Sequence, residues 1–224
     1  IWGNSVAILT GDLIFSRASL LVSELGTRPM KIQSQTFERL VLGQLFETTG
    51  PREGQDLLDH YIAVIEGKTG SLIAAAGEYG ALLSGASEEV ISMVKTYGEL
   101  VGVAFQLADD VIDIVSDGKT SGKTRGTDLR EGVPTLPTIL LDRAVAAGDE
   151  SAREVRALLD ADLSSDEALE TAVEALSAHP VTQEAWQIAY DWADRAIEAI
   201  APLPDSTAKA ALESFAHAVV HREG

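Results

Sequence analysis

Three carboxylates, Asp109, Asp110 and Asp113, interrupt an otherwise apolar run over residues 103–113. On a helix, residues three and four apart lie on one face, so these side chains lie together, with Asp117 one turn further on. Ionised carboxylates in an apolar setting become protonated, pair with cations or bind a metal. No basic residue lies within the run. The spacing therefore predicts a divalent cation, and Mg²⁺ suits it because Mg²⁺ takes one or two carboxylates together with phosphate oxygens.

An acidic turn on a solvated helix face is the alternative explanation of this pattern. Solvated helices are amphipathic. Residues 97–105, which lead into the carboxylates, have almost no polar face. This context favours a buried cluster that needs a counter-charge over a solvated turn.

The most basic and glycine-rich segment of the chain, residues 118–132, follows the carboxylates directly. Its Lys and Arg side chains could fold over an anion whose metals the carboxylates hold, and Lys123 is the main candidate. A solvated loop is the alternative.

Lys68 and Thr69 form a second candidate for binding an anion, because the small residues that follow them permit close approach of helices. A surface lysine is the alternative. Gln106 is interpreted either as a core glutamine bonded to backbone or as a dipole that faces the same cavity as Asp109 and Asp110.

The elements that would position these residues are helices. Hydrophobic periodicity is helical nearly everywhere in the sequence, and alternating β-branched residues are scarce. The sequence predicts an all-α fold in a single domain of about ten helices, with no domain boundary between residues 1 and 224. The predicted helices span residues 4–25, 31–49, 54–65, 67–84, 88–115, 134–147, 151–161, 166–177, 182–201 and 207–221.

Charge and composition exclude several classes of function. The formal net charge is −18 and the isoelectric point is about 4.5, which argues against a nucleic-acid partner because phosphate backbones attract basic surfaces. The chain has no cysteine, which excludes disulfides and fits a reducing compartment, with the cytoplasm as the default. No charge-free apolar run reaches about 18 residues, so no membrane span is predicted.

The helices around residues 9–25 and 88–101 are apolar on more than one face. A single domain of this size has a limited interior, so part of this surface needs covering by another subunit. The pattern predicts a homodimer.

Several of these segments together resemble one known family. Residues 105–113, Phe-Gln-Leu-Ala-Asp-Asp-Val-Ile-Asp, resemble the second aspartate-rich motif of trans-prenyl (polyprenyl) diphosphate synthases. Residues 122–129, followed by Thr-Leu-Pro at 135–137, are similar to the segment after that motif. Lys68-Thr69, Gly43-Gln44 and Gly11-Asp12 resemble further features of the family, and the matches in this order cover about two-thirds of the chain.

The resemblance implies a bundle of the isoprenoid synthase type around a central cavity. The implied reaction condenses isopentenyl diphosphate with an allylic diphosphate to give a longer all-trans polyprenyl diphosphate. It also implies Mg²⁺, a homodimer and at most a peripheral contact with a membrane for product release. The implied metal ligands are Asp109, Asp110 and Asp113. The implied catalytic residues are Lys68, Thr69, Gln106 and Lys123, which also bind substrate together with Gln44.

The chain departs from the family pattern in two places. The family has a first aspartate-rich motif and a nearby basic pair upstream of the Gly-Asp helix, and residues 1–224 match neither. We therefore expect the chain to lack an N-terminal portion of the family domain. Val133 stands where a second lysine often lies in the family, which puts one diphosphate contact in doubt.

Two other functions remain as alternatives. A class I terpene cyclase shares the spacing of the aspartates but pairs it with an Asn/Asp-Ser-Glu metal motif that this sequence lacks. A non-catalytic partner subunit of a heteromeric synthase would bind a prenyl diphosphate without reacting it. Product length and the preferred allylic substrate depend largely on the unmatched upstream region, so the sequence predicts neither.

Overall fold

The computed structural model describes residues 2–116 and 125–221, and within these ranges the chain is helical with no β-strand. The all-α prediction is confirmed. The elements are α1 (Asn4–Ser23), α2 (Thr27–Thr49), α3 (Leu57–Ile65), a π-helical segment (Glu66–Gly70), α4 (Ser71–Leu83), α5 (Glu88–Val115), α6 (Thr127–Glu131), α7 (Leu136–Ala147), α8 (Glu150–Leu159), α9 (Asp166–Ala178), α10 (Pro180–Ala199) and α11 (Thr207–Val220).

Capping side chains explain where several of these helices begin. The Asp56 carboxylate accepts hydrogen bonds from the backbone N–H groups of Leu58 and Asp59 at the start of α3. Ser87 caps α5 in the same way, and α5 has the predicted bounds. Two elements were missed, namely the π-helical segment and the short helix α6.

Helix α5 is the centre of the bundle and packs between α4 on one side and α10 on the other. Its residues Val101, Val103 and Leu107 are fully buried. The facing side of α10 carries alanines at four-residue and three-residue spacing, which form one narrow face of small side chains. These are Ala185, Ala189, Ala193 and Ala196, all fully buried.

Glycines bring α5 into backbone contact with the start of α4. A Cβ atom added at Gly98 would lie 2.6 Å from the Cα of Ala74, and one added at Gly102 would lie 2.7 Å from the Cα of Gly70. Real Cβ atoms essentially never approach other atoms so closely. This contact sets the distance between the π-helical segment and the carboxylate end of α5.

Helices α1 and α2 are mostly uncovered. No residue of α1 is buried, and Leu9 and Leu13 are 67% and 69% exposed. By length and composition alone α1 could cross a membrane, although Asp12 and Arg17 interrupt its apolar sequence. Core helices of soluble proteins and signal sequences satisfy the same criterion, so this is weak support for a span.

The predicted contribution of residues 88–101 to a subunit interface stays a prediction. Ile91 and Tyr97 of this stretch are buried within the subunit, whereas Met93 and Leu100 are half-buried. The more exposed apolar side chains lie on α1 and on α2, which contributes Phe37 and Leu45.

Candidate active site

A cavity of about 300 Å³ opens between α2, α3, the carboxylate end of α5 and the chain that leads into α7. Its apolar lining includes Leu57, Val64 and Ile65. Its polar lining comes from Glu47, His60, Tyr61, Lys68, Gln106, Asp110, Asp128 and Thr135. Three of the residues predicted for the site, Lys68, Gln106 and Asp110, thus border one cavity.

Asp110 is a buried carboxylate that accepts hydrogen bonds from three elements. The Tyr61 hydroxyl of α3 and the backbone N–H of Leu136, at 3.2 Å, both donate to Oδ2. The Gln106 Nε2 donates to Oδ1 at 3.2 Å. Burial raises the pKa of Asp110 to about 7, and these three donors oppose that increase. A cation bound here would favour the ionised carboxylate and so lower the pKa of Asp110 again.

Asp109 and Asp113 are half-buried on the same end of α5. The backbone N–H of Asp128 donates to Asp113 Oδ2 at 3.2 Å, and that of Gly126 donates to the Asp113 carbonyl at 2.8 Å. Asp113 therefore joins α5 to the segment that carries Asp128 into the cavity.

The chemistry of this donor set fits Mg²⁺, since it consists of oxygen atoms with an excess of negative charge. Repulsion from Asp128 adds to the rise in the pKa of Asp110. This repulsion indicates that the site lacks a positive charge to balance its carboxylates. In residues 2–116 and 125–221, no three His, Cys, Asp or Glu side chains are grouped closely enough to hold a metal ion. Metal binding by Asp109, Asp110 and Asp113 stays a prediction, and it would need further ligands such as diphosphate oxygens.

The π-helical segment contains Lys68, which borders the cavity, and Thr69, the next residue. A π-helical turn contains one residue more than an α-helical turn, and such turns are frequent at functional sites. The Thr69 hydroxyl donates to Gln106 Oε1 at 3.0 Å, so the two predicted residues are in direct contact. The Lys68 ammonium lies 2.6 Å from Glu47 Oε2.

Gln44 reaches the same group because α2 packs closely on the π-helical segment. A Cβ atom at Gly43 would lie 3.1 Å from the backbone nitrogen of Lys68. Gln44 Nε2 donates to Glu47 Oε2 at 2.6 Å, the oxygen that also pairs with Lys68. Gln44 therefore lies beside Lys68 through a shared carboxylate. Lys123 lies outside the described residues, and its role stays a prediction.

Sequence reasoning missed five polar residues of the cavity: Glu47, His60, Tyr61, Asp128 and Thr135. Helical spacing could have found two of them. Glu47 is three residues after Gln44, and Tyr61 lies two turns before Lys68-Thr69 on the same continuous helix. Asp128 lies in the segment that follows the carboxylates, but nothing in its spacing distinguishes it from a surface acid.

Comparisons with known proteins agree with this geometry. The pattern that defines the polyprenyl synthetase family matches residues 1–176. The chain is 42% identical to nonaprenyl diphosphate synthase of Mycobacterium tuberculosis, over 100% of this chain and 66% of the relative. It is 32% identical to octaprenyl diphosphate synthase of Escherichia coli, over 99% of this chain and 68% of the relative.

A solved structure gives the same result for the fold. The geranylgeranyl pyrophosphate synthase of Corynebacterium glutamicum, complexed with calcium and isoprenyl diphosphate, superposes with a TM-score of 0.86 at 43% identity. The superposition covers 100% of this chain and 68% of that one. This chain thus spans about two-thirds of the length of the curated relatives that it matches. The match over residues 1–176 and the similarity to these relatives show that the chain belongs to the polyprenyl synthetase family.

Proposed function

We propose that the full-length protein is a trans-prenyltransferase that condenses isopentenyl diphosphate with an allylic diphosphate to give a longer all-trans polyprenyl diphosphate. The observation that carries the proposal is a single cavity that is bordered by Lys68, Gln106 and Asp110. Family membership supports the same reaction. We propose that it takes place in the cytoplasm, since the sequence has no cysteine that would need an oxidising compartment.

The first requirement of the reaction is a leaving group whose charge is neutralised. Asp109, Asp110 and Asp113 are the residues that would hold Mg²⁺, and bound Mg²⁺ would neutralise the diphosphate as it departs. The relative from Corynebacterium glutamicum, solved with calcium and isoprenyl diphosphate, supports a divalent cation in this role. The oxygen-only donor set supports Mg²⁺ in particular.

Basic side chains of the chain itself would bind the diphosphate from the other side. Lys68 borders the cavity and pairs with Glu47, so a diphosphate would compete with or share that ammonium group. Lys123, in the segment after the aspartates, is proposed for the same role, and Gln44 would donate an amide N–H at the same edge. Charge-assisted hydrogen bonds of this kind strengthen as the leaving oxygen gains charge.

The second requirement is a dry environment for the allylic cation. The apolar side chains of Leu57, Val64 and Ile65 border the cavity and would exclude water. Gln106 and Thr69 offer oxygen atoms with partial negative charge but no strong nucleophile. They would therefore stabilise positive charge without capturing the cation.

Assay of the full-length protein tests this function. Incubation with labelled isopentenyl diphosphate, an allylic diphosphate and Mg²⁺ should give chain-extended diphosphates, resolved by chromatography after dephosphorylation. Removal of divalent cations with EDTA should abolish the product. A cyclised hydrocarbon would instead indicate a terpene cyclase, and binding of a prenyl diphosphate without any turnover would indicate a non-catalytic partner subunit.

We further propose that the protein is a homodimer and that a second copy covers α1 and α2. The exposed apolar side chains on these helices, among them Leu9, Leu13 and Phe37, are too many for the free surface of a monomer. Light scattering of the full-length protein at micromolar concentration should give the mass of two chains. The mass of one chain would contradict the proposal.

A further inference from the structure

We propose that Tyr61 is a positioning residue, which fixes through Asp110 the orientation of the Gln106 amide at the cavity. The catalytic meaning of this role rests on the function proposed above. The hydrogen bonds that define it do not.

A chain of hydrogen bonds connects Tyr61 to the π-helical segment. The Tyr61 hydroxyl of α3 donates to Asp110 Oδ2. Gln106 Nε2 donates to Asp110 Oδ1 at 3.2 Å, and Thr69 donates to Gln106 Oε1 at 3.0 Å. Each hydrogen bond joins two side chains, so a change in the hydrogen bonding of Tyr61 can alter the orientation of Gln106 and Thr69.

When Asp110 is ionised, the chemistry of the groups fixes the direction of every bond in this chain. A carboxylate only accepts hydrogen bonds, so the NH₂ end of Gln106 must face Asp110. The carbonyl end of Gln106 then faces Thr69, whose one hydroxyl proton is used in donating to it. The Thr69 oxygen can then take part in further hydrogen bonds only as an acceptor, through its lone pairs. A reversed Gln106 would instead place two negative oxygen atoms against each other.

Tyr61 is needed because Asp110 must present the correct oxygen to Gln106. The Tyr61 hydroxyl and the Leu136 N–H both bind Oδ2, which leaves Oδ1 towards Gln106. Without the phenol, the backbone N–H of Leu136 would be the one described donor left on Oδ2, and the carboxylate would be free to change its angle to Gln106. Buried polar groups that lose one partner are expected to rearrange in this way. Tyr61 thus acts on the reacting centre through the dipole of Gln106.

Tyr97 offers a matched control for the removal of a buried tyrosine hydroxyl. It is 3% exposed and donates to the carbonyl of Leu212 at 2.7 Å, and neither residue borders the cavity. The Tyr97→Phe variant therefore loses a tyrosine hydrogen bond without touching the network of Asp110 and Gln106.

Kinetics of the full-length protein provide the first test. Tyr61→Phe should lower kcat about ten-fold while the KM values of both diphosphate substrates change less than about two-fold. Tyr97→Phe should change kcat less than about two-fold. In a Gln106→Leu background, Tyr61→Phe should have less than about a two-fold effect on kcat, because the residue through which it acts is gone. An equal effect of Tyr61→Phe in both backgrounds would overturn the proposal.

Nuclear magnetic resonance of the protein without substrate provides a second test. The side-chain amide resonances of Gln106, assigned by their loss in Gln106→Leu, should shift in Tyr61→Phe and stay in place in Tyr97→Phe. Unchanged resonances in Tyr61→Phe would refute the link even if the wild-type protein had no turnover. Should Tyr61→Phe fail to fold, Asp110→Asn, which keeps the shape of the side chain, should shift the same resonances.

Discussion

Replacing Lys68 with alanine in the full-length protein is expected to lower kcat/KM by roughly ten- to a thousand-fold, or about 1.4 to 4 kcal/mol of transition-state stabilisation. The physical reason is that the ammonium group would bind the departing diphosphate most strongly when its charge is greatest. The fold should remain intact, because the side chain is partly exposed and pairs only with the half-exposed Glu47. Steady-state kinetics with both diphosphate substrates would measure the loss.

Lys95→Ala is the control for this variant. Lys95 also pairs with a glutamate, Glu78, at 3.1 Å, but borders a different part of the surface from the cavity. Its replacement should leave kcat/KM within about two-fold of wild type, as is usual for an exposed ion pair. Equal values of kcat/KM for the Lys68 and Lys95 variants would indicate that Lys68 is an ordinary surface lysine.

Gly98→Ala is expected to destabilise the fold by about 3 kcal/mol, the upper part of the usual range for overpacking. The new methyl group would lie 2.6 Å from the Cα of Ala74 and 2.9 Å from its nitrogen. Both are backbone atoms, which cannot move aside as a flexible side chain would. Helices α4 and α5 would have to separate, and the midpoint of unfolding in guanidinium chloride would fall.

Gly80→Ala, on the neighbouring helix α4, is the matched control. A Cβ atom at Gly80 would meet no heavy atom within 4 Å. Alanine has the higher helix propensity, so this variant should gain up to about 1 kcal/mol. If both variants unfold at the same guanidinium concentration as the wild type, the close contact of α4 and α5 does not exist in solution.

Much of the fold could be predicted because the helices carry their own signals. Helix α5 has the predicted bounds since Ser87 caps its first turn and the apolar period continues to Val115. The π-helical segment could not be predicted, because its residues Glu66–Gly70 are compatible with a regular helix, and the wider turn depends on packing against α2 and α5. The burial of Ile91 and Tyr97 was also beyond the sequence, which does not say which of two apolar faces another helix covers.

The site could be predicted in its parts but not in its connections. The spacing of the aspartates and the Lys-Thr pair identified Asp110 and Lys68 as candidates for one cavity, and both border it. The partners of these residues, Tyr61 and Glu47, come from α3 and α2 and have no motif of their own. A buried tyrosine is usually a core residue, so only the position of its hydroxyl on Asp110 identifies its role.

The widened turn between α3 and α4 has a consequence for the length of the chain. The backbone N–H of Ser71 binds the carbonyl of Glu66, five residues back, and the helix then continues as before. Successive residues of an α-helix are about 100° apart around its axis. Deleting one residue from this turn would restore regular winding and rotate everything downstream by that angle. Either the contact of Gly70 with Gly102 or the hydrogen bond of Tyr61 to Asp110 would be lost. The number of residues in this turn is therefore constrained as strictly as their identity.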